Sequence, residues 1–379
     1  LEQVAAAQDE AERDCLAVAQ KIVHAMEAPI QLACGSVSQG ISIGIVVPGS
    51  LTASADQLLH QADLALYAAK ASGRNRWFLF QEDMQRRIDL RSRLEQRLRD
   101  GLDRGEFQCA YQLQVDALGR PFACETLMRW QSPTSTISPA EFIPVAQECG
   151  LIHELGDRML AAVICDLHRW QTLGLPPEFR VAVNFSTPEF LRHDFVDRVL
   201  ARLRDSGVEG RRLRIEITED SVLSDLAAAA ERMRLLMEHG ISFSLDDFGT
   251  GYSSFSYLRY LPVAEVKIDQ GFVRRFLQHP QDAAIVRAIL ELGRSLDLTV
   301  VAEGVETQAQ WQALQQVGCR LFQGYLFDRP CLETQQPLLQ RLAALRARPA
   351  QLVAPAVAST APGAPDKADP EDGPPPSGP

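Results

Sequence analysis

The chain has 379 residues, 46% of them hydrophobic, and a formal net charge of -11, which allows two or three domains and a large apolar core. That acidity argues against a broad electrostatic footprint for polymeric nucleic acid, yet leaves room for a small phosphorylated ligand whose charge is met locally by metal. The eight cysteines are scattered with no CxxC or close Cys/His grouping, so a reduced compartment is expected and a structural zinc site has little support. No signal peptide, lipidation box or apolar run of about eighteen residues is visible. A cytoplasmic location follows as the expectation, or the cytoplasmic portion of a membrane-anchored parent carrying further sensory or membrane regions upstream.

Residues 1–82 read as a smaller unit. Cys15 to Met26 has helical character, Val37 to Val47 alternates as a strand, and Ala55 to Ala71 carries apolar residues at helical spacing. The Gly73-Arg74-Asn75 break then leads into a strand from Trp77 to Phe80. This is too little sheet for a complete α/β domain. From Glu82 to Asp103 the chain is densely charged, with Leu90, Leu94, Leu98 and Leu102 on an i, i+4 stripe, as expected of a connecting helix over 83–103 laid against the next domain or a partner. Constant spacing of four disfavours a coiled-coil rod.

Residues 104–345 alternate apolar strand segments with stretches long enough for a helix and a loop. Eight strands are predicted, at 107–113, 121–127, 179–184, 212–217, 242–247, 264–268, 298–303 and 320–324. This pattern fits an α/β fold, a modified TIM (β/α)8 barrel, with an open doubly wound sheet as the alternative. The Asp116-Ala117-Leu118-Gly119 turn is too short for a crossover helix, so the first two strands should pair antiparallel. Beyond 346, Pro, Ala, Gly, Ser and Asp dominate, and the tail to 379 is expected to be disordered.

Most of the predicted strands finish in polar or ionisable residues, and one ends in the pair Asp246-Asp247 before Phe248-Gly249. Adjacent carboxylates at an apolar strand end need a cation, a shared proton or open water. Taken alone, the pair also fits a solvated turn. In company, Glu125, Asn184, Glu216 and Asp246 supply hard oxygen ligands suited to Mg²⁺ or Mn²⁺. Asp246 with Asp247 can serve two ions about 3.5–4 Å apart. Glu303 is a further ligand or a proton acceptor, and Lys267 either orients the attacking water or simply balances the carboxylates.

Glu125-Thr126-Leu127-Met128-Arg129-Trp130, Val183-Asn184-Phe185-Ser186, Glu216-Ile217-Thr218-Glu219, Asp246 through Ser254, Lys267-Ile268-Asp269, Ala302 through Thr307 and Gln323 through Phe327 together resemble the ordered motif set of the EAL-domain cyclic-di-GMP phosphodiesterases, over about residues 88 to 342. The resemblance implies hydrolysis of cyclic-di-GMP to linear pGpG in bacterial second-messenger signalling, with Asp246 bridging two ions and Asp247 on the second. It also implies a homodimer through the barrel. Glu219 and Glu306 resemble the glutamates that back the ligands in this family, Glu306 anchoring the loop after Asp247; without the resemblance each reads as a helix N-terminal acid. By the same resemblance Arg129 is a phosphate clamp and Gln112 a substrate contact, while Gln323 touches water or ligand; Arg129 also reads as a structural donor beside Trp130. Ser42-Ile43-Gly44-Ile45, Ala62-Asp63, Tyr67-Ala68-Ala69-Lys70 and Gly73-Arg74-Asn75-Arg76 resemble the C-terminal half of a GGDEF diguanylate cyclase domain whose active-site turn would precede Leu1, so no cyclase activity is expected of this chain.

Three positions depart from the family pattern. Thr126 stands inside the usual EAL or EVL tripeptide, where it should face away from Glu125 and disturb packing more than ligation. Leu113 replaces the usual proline after Tyr111-Gln112, which should loosen the Gln112 contact. Asp328 replaces a serine and should add negative charge at the ligand mouth. No expected ligand is lost, so catalysis is favoured over two alternatives: a non-catalytic cyclic-di-GMP receptor, and a two-metal enzyme acting on a different phosphodiester.

Overall fold

A computed structural model describes residues 8–32, 35–37, 39–48, 54–133, 135–223, 225–249 and 255–347. Of the tail expected over 346–379, Arg346 ends a helix and residues 348–379 lie outside the described residues, as do Thr250 to Ser254 of the run after Asp247. The chain divides into two compact units, one from the residues up to Phe107 with Trp130–Ile152, the other from Gln108–Arg129 with His153 onward. None of the described helices is long and apolar enough to cross a membrane.

In the first unit, helices Gln8–Glu27 and Ala55–Ala71 accompany two small sheets. The expected single strand from Val37 to Val47 is instead two short pieces, Gly35–Val37 and Ile43–Ile45, which belong to different sheets. Alternation continued across Gly40, but the pairing did not: Ile43–Ile45 runs parallel to Trp77–Leu79. Gly44 is needed there because a Cβ would collide with the Ala62 carbonyl and Leu66 backbone of the covering helix. Helix Glu82–Arg104 buries Leu94, Leu98 and Leu102 but leaves Leu90 63% exposed, so the leucine stripe is core for three of its four members.

The second unit is a closed eight-stranded ring, with β1 Phe107–Asp116, β2 Pro121–Ser132, β3 Arg180–Asn184, β4 Leu213–Thr218, β5 Ser242–Phe248, β6 Glu265–Ile268, β7 Thr299–Ala302 and β8 Leu321–Gln323. Strands β2 to β8 run parallel, β1 is antiparallel to β8, and pairing of β1 with β2 closes the ring. The antiparallel start expected from the short 116–119 turn is present, and Asp116 closes that turn by accepting from the Leu118 and Arg120 backbone at 2.8 and 2.9 Å. Because β1 runs the opposite way, its first half, not its end, reaches the mouth formed by the carboxyl ends of the other strands. Gln323 on β8 is level with Gln114 on β1, and Gln112 therefore lies further toward the mouth.

Apolar residues on one face of each strand, among them Val181, Val183, Ile215, Ile217, Phe243 and Leu245, join the helices in the main core. The alternate face points into the ring and is strongly polar. A barrel interior is ordinarily filled by branched apolar side chains, so this inversion marks where stability has been conceded to chemistry.

Candidate metal centre at the carboxyl ends of the strands

Lys267 on β6 is the hub of the mouth. Only 1% exposed, its Nζ lies 2.8 Å from Glu216 Oε2 on β4, 2.6 Å from Glu303 Oε1 after β7, 3.2 Å from Asp246 Oδ1 on β5 and 3.4 Å from Glu125 Oε2 on β2. Glu125 also accepts from the Asn184 side-chain amide at 2.6 Å and from Gln323 at 2.6 Å. That orientation of Asn184 leaves its oxygen available as a ligand atom.

Strict alternation would send Asp246 and Asp247 to opposite faces. They converge because the β5–β6 register shifts between Leu245 and Phe248 and Asp247 adopts a left-handed backbone with φ of 53°. Bulges of this kind re-aim side chains beside active sites. As a result two groups of carboxylates have ligand atoms within 4.8 Å of one another: Glu125, Glu216 and Asp246, and Asp246, Asp247 and Glu303. Asp246 belongs to both.

The electrostatics fit added cations. Burial raises Glu216 and Glu303 well above the ordinary carboxylate range, and repulsion from Glu125 and Asp246 adds to it against the pull of Lys267. Burial and the Asp246 charge, with Asp269, push Asp247 up to about 6. Glu125 is held low in spite of its burial, by Lys267 and the amides of Gln323 and Asn184. Lys267 stays protonated despite burial because Asp246, Glu125, Glu216 and Glu303 surround it. Glu216 Oε1 is buried and has no hydrogen-bond partner among the described residues, an orphaned hard acceptor inside the first carboxylate group. A single ammonium cannot neutralise five carboxylates, and hard divalent cations take oxygen donors of this kind.

The cluster opens on a cavity of about 320 Å³ lined by Gln112, Arg129, Gln270, Arg274, Glu306 and Tyr325 as well as the acids. Arg129 donates to the Met128 carbonyl at 2.8 Å, facing this space. Gln323 is 4% exposed and serves Glu125 and Gln112 rather than open solvent. Glu306 is half-exposed and 3.7 Å from Arg274; the loop it was expected to anchor lies outside the described residues. Glu219 is 7% exposed at the start of helix Glu219–Leu223, beside Tyr257 and away from the cavity lining.

Asp328 does not charge the mouth as expected. It is ion-paired with Arg341 and accepts from the Leu113 backbone at 2.8 Å. The sequence reading also missed Gln114, Gln270, Arg274 and Tyr325. Gln114 was within reach of the alternation rule, two residues after Gln112; the others sit on loops or helices with no periodic signal.

With fold and site in place, the chain belongs to the EAL domain family, which matches residues 95–330; residues 4–76 match the diguanylate cyclase, GGDEF domain. A similar relative is the bifunctional diguanylate cyclase/cyclic di-GMP phosphodiesterase MucR of Pseudomonas aeruginosa, 37% identical over 319 residues, which cover 84% of this chain and 46% of that protein. The oxygen sensor protein DosP of Escherichia coli is 34% identical over 317 residues, 83% of this chain and 39% of the relative. The chain thus spans less than half the length of these curated relatives. The structure of the PaMucR phosphodiesterase in complex with c-di-GMP superposes with a TM-score of 0.62 at 38% identity, over 64% of this chain and 98% of that one. The EAL enzyme Bd1971, in its cAMP- and cyclic-di-GMP-bound form, gives 0.64 at 28% identity, over 78% and 77%.

Proposed function

We propose that this barrel hydrolyses cyclic-di-GMP to linear pGpG with Mg²⁺ or Mn²⁺, one ion held by Glu125, Asn184, Glu216 and Asp246 and a second by Asp246, Asp247 and Glu303. The observation that carries the reading is the convergence of four carboxylates on one lysine, with Asp247 joining two of them, at the mouth of a cavity. When bound, two such cations supply Lewis acidity that lowers the pKa of a water and draws charge from the scissile phosphate.

The chain's own residues do the rest. Arg129 meets a phosphate oxygen of the substrate from β2, and Gln112 fixes the dinucleotide from β1. Glu303, which lines the cavity beside the second carboxylate group, accepts the proton of the attacking water. Lys267 keeps Glu303 oriented at 2.6 Å and offsets charge developing on phosphorus. Water adds to phosphorus in line, the P–O3′ bond breaks, O3′ takes a proton from solvent and Glu303 returns its own to solvent, giving the linear 5′-phosphorylated dinucleotide.

The deciding experiment incubates the purified chain with cyclic-di-GMP and Mg²⁺ or Mn²⁺, beside an Asp246→Asn control, and follows product by chromatography. Metal-dependent pGpG that disappears in the control supports the reading. Tight binding without turnover under either metal overturns it in favour of a receptor.

A further inference from the structure

Arg341, on helix Leu338–Arg346, is 4% exposed yet lies next to the mouth. Its Nε donates to Asp328 Oδ1 at 3.2 Å, and its Nη2 donates to the carbonyls of Tyr111 at 2.8 Å and Arg329 at 3.2 Å as well as to the other Asp328 oxygen. Asp328 in turn accepts from the Leu113 backbone N–H at 2.8 Å, and its own carbonyl accepts from the Gln112 carboxamide at 2.9 Å. Strand Cys331–Leu332 pairs antiparallel with Tyr111 and Ala110, fastening the same segment from the side.

Gln112 Oε1 then accepts from Gln323 at 3.1 Å, and the same amide donates to Glu125. Gln114 donates to Gln323 Oε1 at 2.8 Å and fixes that amide's orientation. A continuous line of hydrogen bonds thus runs from a buried guanidinium through Asp328 and Gln112 to a carboxylate of the metal centre. A glutamine side chain loses substantial rotamer freedom when it is held, so holding it before the ligand arrives lowers the cost of binding.

The Leu113 N–H is spent on Asp328, a bond that a proline at 113 could not make. The departures at 113 and 328 are therefore chemically matched.

We propose that Asp328 and Arg341 are positioning residues that set the Gln112 carboxamide for a cyclic dinucleotide, and that residues 113 and 328 work as one unit. The inference rests on the reading above for the identity of the ligand. It is tested on the full chain by calorimetry with cyclic-di-GMP in EDTA, where metal-dependent turnover is off, alongside thermal melting.

Asp328→Ser and Leu113→Pro should each weaken binding about tenfold, one hydrogen bond to a charged group, and because they remove the two ends of one bond the double variant should bind no more weakly than the weaker single. Asp328→Asn, which keeps an acceptor for Leu113, guards against a folding failure of the serine variant and should cost about threefold. In Mn²⁺ the single variants should raise KM while kcat changes less than about twofold. A double variant as weak as the product of its singles overturns the inference, as does unchanged affinity with only the melting temperature moved. If the parent chain binds no cyclic-di-GMP with or without Mn²⁺, the substrate reading fails and takes this inference with it; a parent that binds beside single variants that bind equally sinks the inference alone.

Discussion

Arg214 on β4 and Glu265 on β6 form a buried ion pair near the N-terminal end of the barrel, 5% and 1% exposed, while two residues further along the same strands Glu216 and Lys267 form another. The side chains share one inward face and the signs are simply exchanged. What differs is the company. Around the lower pair stands a second guanidinium, Arg180, whose pKa burial and Arg214 lower and Glu265 opposes, together with Ser242 and Ser244. Around the upper pair stand Glu125, Asp246, Asp247 and Glu303, all acidic. A buried charge met by its own counter-charges is part of the scaffold, whereas a buried excess of one sign calls for an ion from outside.

Asp246 serves both carboxylate groups and so carries the largest effect. Asp246→Asn should lower turnover by about three orders of magnitude, a transition-state effect, while the metal-free melting temperature holds or rises because repulsion at the mouth is relieved. A variant that melts early would mean the mouth acids also hold the fold together. Arg214→Met should behave in the opposite way. Stranding Glu265 should cost about 3–5 kcal/mol in denaturant unfolding, with kcat of the folded fraction within about threefold, and Arg214→Met with Glu265→Leu should recover most of the loss. If Arg214→Met abolishes turnover at unchanged stability, the two ends are not separable.

How much of this was legible before the structure depended on which rule each residue obeyed. The eight strands, the antiparallel start and the polar strand ends followed from alternation and from the short turn at Asp116, which are local properties. The meeting of Asp246 with Asp247 was expected from chemistry, yet the bulge that achieves it runs against alternation and depends on the shifted pairing with β6. Asp328 was misread because its partner, Arg341, is 13 residues away on a helix whose docking no local pattern reveals. Val37 to Val47 failed for a related reason: an alternating run says nothing about which sheet each half will join.

Metal binding at the acidic mouth should depend on pH. Asp247 titrates at about 6 because of its burial and the charges of Asp246 and Asp269. Its protonated form cannot ligate, so Mn²⁺ affinity should rise as pH climbs through 6, with protons released on binding. For the metal-free fold the sign is opposite. A carboxyl whose pKa is raised on folding holds its proton more tightly than in the unfolded chain, so metal-free stability falls as pH rises from the ordinary carboxylate value through about 6. Mn²⁺ at a hundred times its dissociation constant should therefore add about 2.7 kcal/mol at a given pH. At one fixed Mn²⁺ concentration the melting shift should be larger at pH 7.5 than at pH 5. A shift independent of pH, or one retained by Asp246→Asn, would place the ion elsewhere.

The smallest effect tests the layer outside the ring. Thr126 follows Glu125 on β2, pairs with Val183 on β3, and is 2% exposed with its hydroxyl unpartnered among the described residues. Its side chain belongs to the opposite face of the strand from Glu125. A buried hydroxyl without a partner costs about 1–3 kcal/mol, while valine has nearly the same shape and nothing to satisfy. Thr126→Val should therefore raise unfolding stability by about 1 kcal/mol and leave kcat and KM unchanged. Lost stability would mean that water or a moving neighbour satisfies the hydroxyl. A changed KM at unchanged stability would show that packing behind β2 reaches Glu125, and that the acidic mouth draws on the apolar layer as well as on its own charges.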